Sequence, residues 1–182
     1  MEEVLLLGRV EAGRVEFKPA PLELGALCRR ISEEILTATN HQNPIQLAVE
    51  ALSESDAHGD ENLLRHIFTN LLSNAIKYSP PGASVEFSVF RKEHEALFHV
   101  VDHGCGIPTQ DQERLFQAFY RGKNTAHIPG TGLGLVIVKR CVTLHGGSIL
   151  CESWEGKGTT FVVTLPLFSA AQDYEKNTGD RG

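Results

Sequence analysis

Cysteine is scarce in this chain, and the four present, Cys28, Cys105, Cys141 and Cys151, stand far apart with no Cys-x-x-Cys pair. Histidines do not cluster either. Together these absences exclude a disulfide framework or a zinc site as organising devices and point to a reduced, cytoplasmic chain. No apolar run approaches the roughly 18 residues of a membrane span, and no leader-like segment is visible, so no span is expected here, although a longer parent protein could be membrane-anchored. A basic excess is missing as well. Lys+Arg of 17 against Asp+Glu of 23 gives a formal charge of −6, without a basic stripe, which argues against a nucleic-acid partner. No internal repeat is found.

What remains is a chain of 182 residues, 41% hydrophobic, a size that suits a single domain with a substantial core. Residues 2–12 read as a helix ended by Gly13. Val4, Leu5, Leu6, Leu7 and Val10 surround it with apolar groups, a pattern that calls for partner helices on more than one side. Arg14–Lys18 alternates like a short strand before Pro19 and Pro21, and Leu24, Leu27, Ile31 and Ile35 give residues 23–38 helical spacing. A strand at 45–49 and a polar loop at 53–59 follow. Asp60 is placed to cap the strongest helix, about 61–78, whose stripe is Leu63, Leu64, Ile67, Leu71, Leu72 and Ala75. Beyond Pro80-Pro81-Gly82 the pattern predicts a hairpin of strands 85–90 and 96–101, a short helix at 110–119, a loop at 121–131, and a helix at 132–144. Strands near 148–152 and 159–165 and a polar tail at 169–182 complete the chain. These elements imply an α/β (α+β) two-layer sandwich.

Three short motifs carry the chemistry. Asn70, Asn74, Lys77 and Tyr78 fall at i, i+4, i+7 and i+8 of the long helix, on one face bordering the buried stripe. Two amides and an ammonium there suit a triphosphate with Mg²⁺, which takes oxygen ligands, keeps several waters and is usually shared with phosphates. Taken alone, the same face would also serve as a solvated surface. The second motif, Asp102-His103-Gly104-Cys105-Gly106-Ile107-Pro108, follows a strand. A carboxylate at the strand exit can accept from the exocyclic amine of adenine, and Gly104 and Gly106 allow close backbone approach; a plain turn capped by Asp is the competing reading. The third, Gly130-Thr131-Gly132-Leu133-Gly134-Leu135, opens a helix whose N-terminal N–H groups favour phosphate.

Two other nucleotide readings fail. The glycine spacing is not Gly-x-Gly-x-x-Gly and follows no strand, so a dinucleotide fold is unsupported. Val136-Ile137-Val138-Lys139 imitates a eukaryotic-type kinase strand but lies in a helical pattern, with no His-Arg-Asp loop after it.

In this order, the motifs resemble the N box, the two glycine boxes and the phenylalanine box (Leu115–Gly122) of the catalytic ATP-binding domain of sensor histidine kinases. These kinases share a superfamily with gyrase, the heat-shock protein 90 chaperones and MutL. His145-Gly146-Gly147 and Gly156–Phe161 resemble that family's closing strands, and the likeness spans about residues 14–168. It implies a Bergerat-type fold, a mixed sheet backed by three helices, binding ATP and Mg²⁺. Asn74 would ligate the metal. Asn70, Lys77, Tyr78, Gly104, Gly106, Ile107, Gly130, Thr131, Gly132, Leu133, Gly134 and Leu135 would line the nucleotide. Asp102 would hold the adenine amine, with Thr159 supporting that edge. Residues 121–131 would form a lid whose Arg121 and Lys123 reach the γ-phosphate, anchored by Phe116 and Phe119.

Where hydrolysing relatives carry Glu, this chain has Asn70, which cannot act as a base; His66, a turn earlier, is an acid–base candidate or a structural residue. No histidine here has the Glu and Pro context of a phosphoacceptor. Residues 1–13 resemble the end of the missing dimerisation hairpin, so the expected partners are that hairpin, a homodimeric parent kinase and a response regulator. Two alternatives stay open: a stand-alone serine kinase of the anti-sigma type, and a non-enzymatic ATP-gated interaction module.

Overall fold

The computed structural model describes residues 4, 5, 8, 14–50, 57–122 and 130–168. Its elements run β1 (Ala20–Leu22), α1 (Leu24–Ala38), β2 (Ile45–Glu50), β3 (Ala57–Gly59), α2 (Glu61–Tyr78), β4 (Val85–Lys92) and β5 (Glu95–Asp102). After these come α3 (Thr109–Gln112), α4 (Gly134–Leu144), β6 (Ser148–Trp154) and β7 (Gly158–Leu165). The main sheet has the order β2-β4-β5-β7-β6; β2 and β4 are parallel, the other pairs antiparallel. A sheet with alternating buried positions needs a layer against its apolar face, and α1, α2 and α4 supply it. Phe68 of α2 packs on Phe87 and Phe98 with ring centroids 5.3 and 4.4 Å apart, at the middle of the core. This is the mixed α/β sandwich that the element pattern implies.

α2 positions most of the polar residues of interest, and its start is fixed locally. Asp60 accepts the Leu63 N–H at 3.2 Å, satisfying one of the donors that a helix N-terminus leaves open. The other carboxylate oxygen of Asp60 accepts the Lys18 N–H at 2.9 Å.

That second bond explains one departure from expectation. Residues 14–19 form no strand, because Lys18 spends its N–H on a side chain; the strand is β1, three residues including Pro21, paired with β3. Proline is admissible there because a two-stranded edge needs no N–H from it. β3 itself occupies the end of the segment expected to be a polar loop. The short helix also differs. It ends at Gln112, and residues 113–120 continue as turns with i→i+3 bonds from Arg114, Gln117 and Tyr120, until Phe119 takes a φ of +63°. α4 begins at Gly134 rather than at 132, since Gly132 has a φ of +73° and cannot join a helix.

Val4, Leu5 and Gly8 are helical, and Val4 and Leu5 are exposed. The rest of the helix expected at 2–12, Lys123 with residues 124–129, and the tail at 169–182 lie outside the described residues. Among the described residues no helix is long and apolar enough to cross a membrane.

Candidate functional site

The polar edge of α2 forms one wall of a cavity of about 310 Å³, within the size range of small-molecule sites. Asn70, Asn74, Lys77 and Tyr78 line it from α2, Asp102 from the end of β5, Gly106 and Ile107 from the following turn, and Thr159 from β7. Gly130, Thr131, Gly132, Gly134 and Leu135 close another side, and Arg121 borders it. Two of the residues expected at the site stand behind its surface. Leu133 is 1% exposed and packs into the core, and Gly104 is buried beneath the Tyr78 carbonyl. His66 is exposed and is not among the lining residues.

Asp102 is the last residue of β5 and pairs with Thr159 across the ladder. The N–H groups of Gly104 and Thr159 donate to its Oδ1 at 2.9 and 3.2 Å; Oδ2 receives neither. Burial pushes its carboxyl above the ordinary carboxylate range, while these two N–H groups and nearby His103 pull the other way. The turn after it is compact for a steric reason. A Cβ on Gly104 would run into the Tyr78 carbonyl, and one on Gly106, at a φ of +66°, into the Trp154 carbonyl. This turn therefore sits between the end of α2 and the end of β6.

Across the cavity the amide and ammonium of α2 meet bare glycine backbone. Asn70 Nδ2 donates to the His66 carbonyl at 2.8 Å, and its Oδ1 occupies the space that a Cβ on Gly134 would need. Lys77 Nζ likewise stands where a Cβ on Gly130 would lie. The glycine turn and the helix face thus pack so closely that a methyl group at either position would collide with the α2 side chain. Thr131 Oγ1 accepts the Leu133 N–H at 3.2 Å and shapes the turn.

The phenylalanine segment is held differently from expectation. Phe116 packs against the core with the Lys139 ammonium 5.1 Å from its ring, but Phe119 is 70% exposed. What joins Phe119 to the glycine turn is its backbone, whose N–H donates to the Gly132 carbonyl at 3.1 Å. Tyr120 donates its hydroxyl to Asp111 at 2.7 Å, and Arg114 stacks on its ring at 4.2 Å. Asp111 is buried and, with Tyr120, lines the cavity. The sequence reading did not single out Asp111. It also passed over Ser153, a buried residue of β6 bonded to Ile107, Gly158 and Thr159. Their only sequence signal is an inward position, which carries no information about a partner.

Residues 59–169 match the family described as histidine kinase-, DNA gyrase B-, and HSP90-like ATPases. Among curated proteins, the chain is 45% identical over 118 residues to the sensor histidine kinase WalK of Bacillus subtilis, covering 63% of this chain and 19% of WalK. It is 34% identical over 175 residues to the sensor protein kinase PmrB of Pseudomonas aeruginosa, covering 91% and 35%. Among solved structures, full-length ShkA in complex with AMPPNP superposes with a TM-score of 0.80 at 28% identity, covering 93% of this chain and 35% of ShkA. The mycobacterial sensor histidine kinase MprB gives 0.70 at 28% identity, covering 84% of this chain and 99% of that one. The chain spans about a fifth to a third of the length of these two curated relatives.

Proposed function

Because the chain belongs to the family of histidine kinase-, DNA gyrase B-, and HSP90-like ATPases, we propose that residues 14–168 are the ATP-binding catalytic part of a two-component sensor histidine kinase. Its γ-phosphate would pass to a histidine on a dimerisation hairpin outside this chain, for relay to a response regulator. The observation that carries this reading is Asp102, a buried carboxylate whose Oδ1 is held by two backbone N–H groups at the wall of a cavity. A fixed acceptor of that kind suits the 6-amino group of adenine and repels a 6-oxo group. The glycine turn brings backbone against Asn70 and the Lys77 cation at the cavity wall, a setting that suits phosphate, and the AMPPNP complex of the similar ShkA favours the same class of ligand.

Asn74, with Asn70 beside it on the same face, would contribute amide oxygen to Mg²⁺, whose chemistry here is neutralisation of phosphate charge. Lys77 and Arg121 would add positive charge at the phosphates, and Lys123 would join them from the lid. No carboxylate occupies the position of Asn70, so water is not activated there and the γ-phosphate is kept for a protein side chain. We assign residues 1–13 to the end of the dimerisation hairpin of a homodimeric cytoplasmic kinase region, and 169–182 to a tail.

Calorimetric titration with ATP, with and without Mg²⁺, tests the pocket. Asp102→Ala should abolish binding, and Asn74→Ala should remove its dependence on Mg²⁺. A parent protein that binds no ATP would overturn the reading.

A further inference from the structure

Ser153 lies on β6, outside the motifs that define the pocket, yet its hydroxyl meets three groups at once. Its Oγ accepts the Ile107 N–H at 2.8 Å, donates to the Gly158 carbonyl at 2.9 Å, and sits 2.9 Å from Thr159 Oγ1. Gln112 Nε2 straps the same corner by donating to the Ile107 and Ser153 carbonyls at 2.9 and 2.8 Å. Ser153 is 6% exposed, so water does not compete for these contacts.

Counting protons fixes the direction of the third contact. An amide N–H can only donate and a carbonyl can only accept, so the single hydroxyl proton of Ser153 is committed to Gly158. The hydrogen bond between the two hydroxyls then requires Thr159 to be its donor. With its proton spent on Ser153, Thr159 Oγ1 keeps only lone pairs. Thr159 lines the cavity beside Asp102, whose Oδ1 is held by the Thr159 N–H. Two residues of the cavity wall, paired across β5 and β7, thus carry acceptors, one charged and one neutral.

Resting on the nucleotide reading above, we infer that Ser153 is a positioning residue for purine selectivity: it holds the Thr159 hydroxyl as an obligate acceptor toward the 6-position of the base. A 6-amino group meets two acceptors, whereas a 6-oxo group meets lone pairs that Thr159 cannot turn away. Without the Ser153 hydroxyl, Thr159 is free to rotate and donate to an oxo group. A neutral hydrogen bond is worth about 0.5–1.5 kcal/mol, so the ratio of ATP to inosine-triphosphate affinity should fall by about two- to twelvefold.

The experiment is calorimetry of the whole chain with ATP and inosine triphosphate, for wild type, Ser153→Ala and Thr159→Val. The expected result is a fall in the affinity ratio in both variants. Weakening of both nucleotides in parallel, with the ratio unchanged in Ser153→Ala, would mean that Ser153 only braces the β6–β7 corner, and would overturn the inference. An unchanged ratio in Thr159→Val overturns it too. If Ser153→Ala does not fold, Ser153→Cys, which keeps the volume and weakens the hydrogen bonds, is read in the same way. Wild type that binds ATP while the variants keep its ratio sinks this inference alone; wild type that binds no ATP sinks the pocket with it.

Discussion

Asp102 is where stability and binding oppose each other at the scale of one residue. Burial raises its carboxyl pKa, so between the ordinary carboxylate value and the raised one the folded protein holds a proton that the unfolded chain has lost. Stability contributed by this group is thus present at low pH and declines as pH rises through that window, leaving a penalty at neutral pH. Asp102→Asn removes the charge but keeps an Oδ1 that can accept the Gly104 and Thr159 N–H groups. In the nucleotide-free protein at neutral pH, its melting temperature should match or exceed that of the wild type. ATP affinity should fall by about ten- to a hundredfold, the scale of a lost charged hydrogen bond. Thermal melts paired with ATP titrations check both halves, and a variant that melts well below wild type would show that the charge stabilises the turn instead.

At the scale of the element, α2 is the part of the site most legible in the sequence. Its cap, stripe and polar face are all spaced along one helix, so periodicity alone aligns Asn70, Asn74, Lys77 and Tyr78. The strand expected at 14–18 was illegible because its fate depends on Asp60, 42 residues from Lys18. Phe119 was misread for a similar reason: aromatic character favours burial, but a φ of +63° in a bonded turn points the ring to solvent. The start of α2 also contains a latch that no local pattern announced. The Asp60 N–H donates to His145 Nε2 at 3.2 Å, His145 Nδ1 bonds the Cys141 carbonyl at 2.9 Å, and Phe17 packs edge-on at 5.0 Å. Nε2 can accept only while the ring is neutral. Burial lowers the His145 pKa from 6.5, against the opposing pull of the Cys141 carbonyl and the Asp60 carboxylate, while the Cys141 thiol, pushed up to about 12, stays neutral. The depressed pKa means that this stability is fully present above 6.5 and is lost as pH falls through the folded value. Wild type should therefore lose melting temperature as pH falls below the ordinary histidine value of 6.5. His145→Gln, whose amide oxygen can still accept from Asp60, should flatten that loss, as read by thermal melts across the range; equal slopes would remove His145 from the latch.

Across the whole molecule, the layers place the cavity at one end of the sheet, and the described residues around it offer no phosphoacceptor histidine. None of the described residues lining the cavity is a histidine, and His145 is buried with both ring nitrogens engaged. Phosphoryl transfer depends on placing donor and acceptor in line, with charge neutralised around the transferred group. With no histidine among the described residues at the cavity, the chain should hold its γ-phosphate until an acceptor arrives. Incubated alone with radiolabelled Mg-ATP, the protein should remain essentially unlabelled. Adding a dimerisation hairpin from a similar kinase should transfer label to the hairpin as an acid-labile phosphate, and replacing its acceptor histidine by alanine should prevent that. His127 lies outside the described residues and next to the glycine turn in sequence, so His127→Ala serves as the control for labelling within the chain. Acid-stable label on the supplied partner would favour a serine kinase. Label on the isolated chain that His127→Ala abolishes would show that the lid carries its own acceptor, and the division of labour between donor domain and separate hairpin would have to be abandoned.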